Sequence, residues 1–215
     1  MKIESITLSV FELHGNTPRL ILEEAPYGRR TRWQTARVGQ VTEEVHVLQV
    51  RTSGGIEGVC TVGDARYTTM RPDELDHLRL LTIGEDPFDR ERLNSKLEAA
   101  TRFMFTRPGW FGAFDNCLWD IAGKATGLPV YALLGRARTS CPAYYNIGGN
   151  TREAVVEDTR QGLSLGFSAI KDHFSNTAKV NIDWCEAVRE TVGDEVALLH
   201  DAVGSNYTFE EAFEV

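Results

Sequence analysis

Cysteine is scarce in this sequence and is never arranged as a metal-binding or redox pair. The 215 residues include four cysteines, which lie far apart at Cys60, Cys117, Cys141 and Cys185. A zinc knuckle or a thioredoxin-like site needs two cysteines separated by two residues, so neither kind of site is supported. We therefore expect free, buried thiols.

Long apolar runs are also missing. No stretch approaches the roughly 20 apolar residues that a membrane-spanning helix requires. The N-terminal segment carries Glu4 and Glu12 where a secretory signal would be apolar, and it lacks a small-residue cleavage site. These features predict a cytoplasmic protein with no membrane partner.

An excess of positive charge is absent as well. The 31 acidic residues outnumber the 23 lysines and arginines, for a formal net charge of -8. Nucleic-acid binding relies on clustered Lys and Arg, which here are dispersed, so we expect no nucleic-acid partner. No glycine-rich phosphate loop follows a predicted strand, which makes a nucleotide-binding open α/β domain the poorer alternative.

The first part of the chain predicts an α+β unit over residues 1–139. Alternating apolar residues predict strands over 2–13 and 44–52, and Ser53-Gly54-Gly55 predicts a hairpin turn into a strand over 56–63. Apolar residues at helical spacing then predict three helices: one that begins at Pro72, one over 88–106 and one that ends before Gly127. Gly127 is expected to stop the third helix in the C′ position.

Residues His14 to Gln40 predict a long loop. The segment is polar, with several arginines and with Gly and Pro at intervals. Loops of this length in compact domains are usually functional or disordered, and composition leaves both readings open.

Residues 140–215 predict an alternation of strands and helices. Strands are predicted over 141–147, 167–174 and 196–201, and a helix follows each. Asn150 with Glu153 is expected to cap the first of these helices, and Thr208 with Glu211 the last. Because each crossover contains a helix, the strands must be parallel.

Three βα units are too few for a closed barrel, which needs eight. The chain is therefore a small open sheet or a fragment. It ends at Val215, barely two turns into an apolar helix, and this favours a fragment.

Ionisable residues stand at the ends of two of these strands. Lys171 and His173 share one face of the second strand, and Asp201 closes the third. Active sites of parallel α/β folds are built at strand C-termini, so a functional site is the preferred interpretation. The alternatives are a solvated lysine, a hydrogen-bonded histidine and a capping aspartate. His200 has the opposite parity and is expected to face the helices or a neighbour.

A family resemblance rests mainly on one helix. Residues 113–124, AFDNCLWDIAGK, continued by GLPVY at 127–131 and LLG at 133–135, resemble the signature helix of the mandelate racemase and muconate-lactonizing branch of the enolase superfamily. The resemblance implies an α+β capping domain at 1–139, followed by the first three βα units of a (β/α)7β TIM-like barrel at 140–215. It also places His14 to Gln40 where the family keeps its substrate-specificity loop.

The resemblance further implies a reaction and its residues. The family abstracts a proton next to a carboxylate and holds the resulting enediolate with Mg²⁺, and Lys171 and His173 occupy the positions of its catalytic Lys-x-Lys pair. Asp201 matches the first metal carboxylate, and Asn146 lies where a residue could contact substrate. We expect an acid-sugar dehydratase that takes a small carboxylate or sugar acid and forms a homo-oligomer. A racemase, epimerase or cycloisomerase is the alternative.

This sequence also departs from the family pattern. His173 replaces the second lysine, and Val203 stands where many relatives have asparagine. The strands that carry the other two metal carboxylates are absent, and one carboxylate is too few for Mg²⁺. A non-catalytic fragment that serves as an assembly module is therefore the competing hypothesis.

Overall fold

The chain divides into two compact units in the computed structural model. The first contains Met1–Ile21 and Arg37–Ala137, and the second contains Leu22–Ala36 and Arg138–Val215. The structure describes residues 1–62, 70–104, 109–202, 205 and 207–215, with the backbone alone given for 13–21 and 34–43. The boundary after residue 139 stays a prediction.

Three strands, in the order β1-β2-β3, form the first sheet. They are β1 (Ile3–Tyr27), β2 (Arg30–Thr52) and β3 (Glu57–Thr61). Strands β2 and β3 pair antiparallel, with Val50 opposite Gly58. The predicted hairpin at Ser53-Gly54-Gly55 is confirmed.

The long loop predicted over His14 to Gln40 is wrong. The backbone there forms the outer parts of β1 and β2, joined by a tight turn in which Gly28 has a φ of 60°. Pro18 and Pro26 suggested a loop because proline cannot donate a ladder hydrogen bond. Both lie in β1, an edge strand, and an edge strand tolerates proline because one side of it needs no donors.

Helices follow the sheet of the first unit as predicted. They are α1 (Pro72–Thr82), α2 (Arg90–Met104), α3 (Gly112–Thr126) and the single turn α4 (Val130–Leu133). Gly127 ends α3 with a left-handed φ of 68°. The apolar stripe of α3 packs in one core with Leu48 and Val50 of β2.

Strands and helices alternate in the second unit. The strands β4 (Tyr145–Asn146), β5 (Ala169–Asp172) and β6 (Ala197–His200) form a parallel sheet in that order. The helices are α5 (Arg152–Ser164), α6 (Ala178–Val192) and α7 (Phe209–Glu214). The predicted parallel array is confirmed, although β4 is shorter than the apolar run 141–147 suggested.

The four cysteines are free thiols, as expected. The expectation that they are buried holds only in part, because Cys117 is buried whereas Cys141 is exposed. Within the described residues, no helix combines the length and the apolar character that crossing a membrane requires.

The N-cap of α5 lies one residue later than predicted. The Thr151 side chain, rather than that of Asn150, accepts a hydrogen bond from the backbone N–H of Ala154, at 3.2 Å. The predicted cap of α7 is confirmed, because Thr208 and Glu211 form a capping box.

Replacing Thr151 with alanine should therefore destabilise the second unit by about 1 kcal/mol, since it removes the oxygen that satisfies a helix N–H. Asn150→Ala is the matched control and should change stability by less than about 0.5 kcal/mol. Denaturant unfolding of both variants measures the difference. A larger loss of stability in Asn150→Ala than in Thr151→Ala would show that Asn150 is the N-cap.

Candidate active site at the ends of the parallel strands

The sheet of the second unit has two unlike faces. Ile170 of β5 and Leu198 of β6 point toward the helices and join a core with Val155 of α5 and Val188 of α6. The alternate residues point the other way. Lys171 is among them, paired in register with Asn146 on one side and Leu199 on the other.

Three of the four predicted site residues meet at the C-terminal edge of this second face. The Lys171 Nζ atom lies 3.0 Å from Asp201 Oδ2, and His173 Nδ1 lies 3.5 Å from the same oxygen. The Asp201 N–H donates to the carbonyl oxygen of Asp172 at 3.2 Å, which ties the ends of β5 and β6 together. The structure thus brings Lys171, His173 and Asp201 together, while their roles remain predictions.

Lys171 is held in its charged form. Its hydrogen bond to the Asp201 carboxylate raises the pKa of the ammonium group, against an opposing effect of burial. The ring of Tyr144 adds a cation–π contact, with Nζ 5.3 Å from the ring centroid. Lys171 is therefore suited to pair with an anion. The imidazole of His173 is about half exposed and lies farther from the same carboxylate, with Nδ1 3.5 Å from Asp201 Oδ2.

A cavity of about 340 Å³ opens beside His173. Its walls include Gly148, Gly149 and Asn150 after β4, and Trp184 of α6. The cavity therefore lies at the strand ends where a parallel α/β fold builds its ligand sites. Its volume is at the small end of the range for ligand pockets.

Asn146, the predicted substrate contact, is exposed at the end of β4. Its register with Lys171 puts the two side chains on the same face of the sheet. Val203, the second departure from the family pattern, lies outside the described residues.

The tip of the β1–β2 hairpin contacts the loop that lines this cavity. The Tyr27 hydroxyl donates to the carbonyl oxygen of Asn176 at 2.8 Å, and Arg32 donates to that of Ser175 at 2.6 Å. Ser175 and Asn176 both belong to the cavity wall. Sequence reasoning missed Tyr27, because a single aromatic residue beside a Pro and a Gly reads as part of a turn.

Asp172 is the other residue that sequence reasoning missed. It lies between Lys171 and His173 on the helix-facing side, where its Oδ1 is 2.7 Å from His200 Nδ1. The prediction that His200 faces the helices is confirmed by its contact with Cys185 of α6. Strand alternation could have identified Asp172, because a carboxylate directed into an apolar layer requires a partner.

The chemistry of the Asp201 carboxylate suits it to be one of several ligands of Mg²⁺. Mg²⁺ prefers carboxylate and other oxygen ligands, and the Asp201 side chain is about one-third exposed. Across the described part of the chain, no group of three His, Cys, Asp or Glu donors includes Asp201. As a metal ligand, Asp201 would therefore fill one position of an octahedral shell.

Comparisons with known proteins identify the family. Residues 21–135, slightly more than half of the chain, match the model for the mandelate racemase / muconate lactonizing enzyme N-terminal domain. An arabinonate dehydratase from Saccharolobus solfataricus is 33% identical over 147 residues, which cover 64% of this chain and 39% of that protein. A D-galactonate dehydratase from Xanthomonas oryzae pv. oryzae is 32% identical over 171 residues, which cover 75% and 43%.

A solved structure extends the likeness to the second unit. The D-glucarate dehydratase from Agrobacterium tumefaciens, complexed with magnesium, superposes with a TM-score of 0.70 at 28% identity, over 94% of this chain and 54% of that one. The chain spans less than half the length of the curated relatives it matches. An α+β capping domain followed by the first part of a TIM-like barrel is thus the fold, and the chain belongs to the mandelate racemase / muconate lactonizing enzyme family of the enolase superfamily.

Proposed function

We propose that these residues form the N-terminal part of a Mg²⁺-dependent acid-sugar dehydratase. The observation that carries the proposal is the shared contact of Lys171 and His173 with Asp201 at the strand ends. The arabinonate and D-galactonate dehydratases among the relatives support a sugar acid as the substrate class.

The reaction is loss of water from a 2,3-dihydroxy acid. The C2–H bond breaks and its electrons form a C2–C3 double bond, while the C3 hydroxyl leaves and is protonated to water. The resulting enol becomes a 2-keto acid when C3 gains a proton and the C2 hydroxyl loses one. The enzyme therefore needs a group that accepts a proton and a positive environment for the substrate carboxylate.

The described side chains divide these tasks. Lys171 stays charged and pairs with the substrate carboxylate, since its pKa is raised. His173 transfers the proton, because an imidazole can both accept and return a proton near neutral pH. Asn146, on the same face as Lys171, contacts a substrate hydroxyl.

Asp201 would provide one oxygen ligand to Mg²⁺. When bound, Mg²⁺ supplies positive charge that stabilises the anion formed on the substrate carboxylate. The remaining ligands must come from outside the described residues, because a single carboxylate does not hold Mg²⁺.

Adding Mg²⁺ to the 215-residue chain should therefore leave its Tm unchanged, and the chain alone should not convert any acid in a sugar-acid panel. Differential scanning calorimetry and an assay for 2-keto acids measure the two outcomes. Asp201→Asn is the control and should respond identically. A Mg²⁺-dependent rise in Tm that Asp201→Asn abolishes would show that the chain contains a complete site.

The test of the proposed function begins with the reading frame that encodes these residues. We expect it to continue past Val215 into strands that end in Glu or Asp, and its product to form a 2-keto acid from a sugar acid only when Mg²⁺ is present. Product analysis separates the candidate reactions. An epimer of the substrate would replace the dehydratase assignment by that of an epimerase, and a reading frame that stops at Val215 would favour the non-catalytic module.

A further inference from the structure

A second cluster of ligand-forming side chains lies on the helix-facing side of the same strands. Asp172 of β5, His200 of β6 and Cys185 of α6 each offer one possible ligand atom, and the carboxylate oxygen, ring nitrogen and sulfur all lie within 4.8 Å of one another. The Asp172 Oδ1 to His200 Nδ1 distance is 2.7 Å. The Cys185 Sγ atom lies 3.9 Å from that nitrogen and 4.0 Å from Asp172 Oδ2.

These distances are close to those of a tetrahedral zinc site. Typical bond lengths from zinc to sulfur, nitrogen and oxygen place such ligand atoms about 3.4 to 3.6 Å apart. The contact with His200 is shorter than these values and the two contacts of Cys185 are longer. The Asp172 carboxylate approaches His200 through Oδ1 and Cys185 through Oδ2, so it must rotate for a single oxygen to complete the site. Three elements distant in sequence thus bring potential ligand atoms close together.

The donor set selects a class of cation. A thiolate, an imidazole and a carboxylate together suit borderline-soft Zn²⁺ or Co²⁺, whereas Mg²⁺ requires hard oxygen ligands. This cluster therefore differs in chemistry from the oxygen site proposed at Asp201, which lies on the opposite face of the sheet.

Outer hydrogen bonds already orient the ligands. The Nε2 atom of His200 lies 3.3 Å from the hydroxyl of Tyr207, which Asn181 also contacts through its side-chain amide. The backbone N–H of Phe174 donates to Asp172 Oδ1 at 3.0 Å. Partners of this kind fix the ring orientation and the basicity of metal-bound histidines and carboxylates.

Burial, reinforced by the Asp172 carboxylate, raises the pKa of the Cys185 thiol to about 12. A cation at this point would stabilise the thiolate and the carboxylate together and would release the thiol proton. The buried carboxylate and the sulfur would then both face a positive charge instead of each other.

We propose that Asp172, Cys185 and His200 bind one Zn²⁺-class divalent cation, with a fourth position taken by water or a small ligand. The site would join β5, β6 and α6 behind the strand ends that carry Lys171, His173 and Asp201. This site does not depend on the dehydratase proposal, because its three residues lie on the opposite face of the sheet from Lys171 and Asp201.

Co²⁺ is the probe, because it gives a thiolate-to-cobalt charge-transfer band in the near ultraviolet when sulfur is a ligand. Titration of the reduced 215-residue chain with Co²⁺ should produce this band at one equivalent, and Zn²⁺ should displace it while excess Mg²⁺ does not. Cys141→Ser, which removes an exposed thiol, should leave the band unchanged. Cys185→Ser should abolish it while retaining the circular dichroism spectrum of the wild type.

Three further variants keep the test decisive if Cys185→Ser fails to fold. Asp172→Asn and His200→Gln should each weaken Co²⁺ binding about tenfold or more, and Tyr207→Phe should weaken it about tenfold through the lost outer hydrogen bond. Absence of the band from the wild type would overturn the proposal. So would a band that persists in Cys185→Ser, or unchanged affinity in both Asp172→Asn and His200→Gln.

Discussion

His173→Asn should lower kcat on the sugar-acid substrate by about 10² to 10⁴, the usual contribution of a positioned acid–base group. His173 shares the Asp201 carboxylate with Lys171 and borders the cavity at the strand ends. Asparagine retains hydrogen bonding but cannot accept a proton at neutral pH. The measurement is steady-state kinetics in the product of the complete reading frame, with Mg²⁺ present.

Lys171→Met should raise KM as well as lower kcat, because it removes the charge that we assign to the substrate carboxylate. Lys179→Met provides the matched control, since Lys179 is an exposed lysine in the first turn of α6. It should change neither constant. Wild-type kcat in His173→Asn would remove the imidazole from the mechanism and leave Lys171 as the remaining candidate for proton transfer.

Gly58→Ala should destabilise the first unit by about 3 kcal/mol, at the upper end of the usual cost of overpacking. A Cβ atom on Gly58 would lie 2.1 Å from the backbone oxygen of Cys117 and 3.0 Å from Ile121 Cγ1. Backbone of α3 cannot move aside as a flexible side chain can. The close contact of β3 with α3 therefore depends on the absence of a side chain at this position.

Gly112→Ala is the control for this prediction. Gly112 begins α3, and a Cβ there meets nothing within 4 Å. Alanine should stabilise the chain slightly, by about 0.4 to 1 kcal/mol, because it restricts the unfolded state. Denaturant unfolding of the two variants should give changes of opposite sign. Equal stability of Gly58→Ala and the wild type would show that β3 and α3 can separate at little cost.

Strong local patterns made much of the first unit predictable. The apolar stripe of α3 and the glycine after it identify the helix and its end, because helical periodicity and left-handed backbone depend on neighbouring residues alone. The predicted N-cap of α5 is wrong by one residue, because asparagine and threonine are both good N-cap residues. The backbone geometry of the turn decides between Asn150 and Thr151.

The long hairpin was not predictable in the same way. Proline and glycine disfavour a strand locally, but the pairing of β1 with β2 gives the backbone its hydrogen bonds and leaves β1 at the edge of the sheet. The loop prediction therefore failed where tertiary pairing outweighed local preference.

By itself, the sequence determined the family, the order of strands and helices, and the shared face of Lys171 and His173, because each of these follows from spacing along one segment. Only the tertiary structure decided that Asp201 Oδ2 lies within 3.5 Å of both Lys171 Nζ and His173 Nδ1. It also decided that Asp172 and His200 lie beside Cys185 on the helix-facing side of the same strands. Distances between segments are set by strand register and by helix packing, which no single segment encodes.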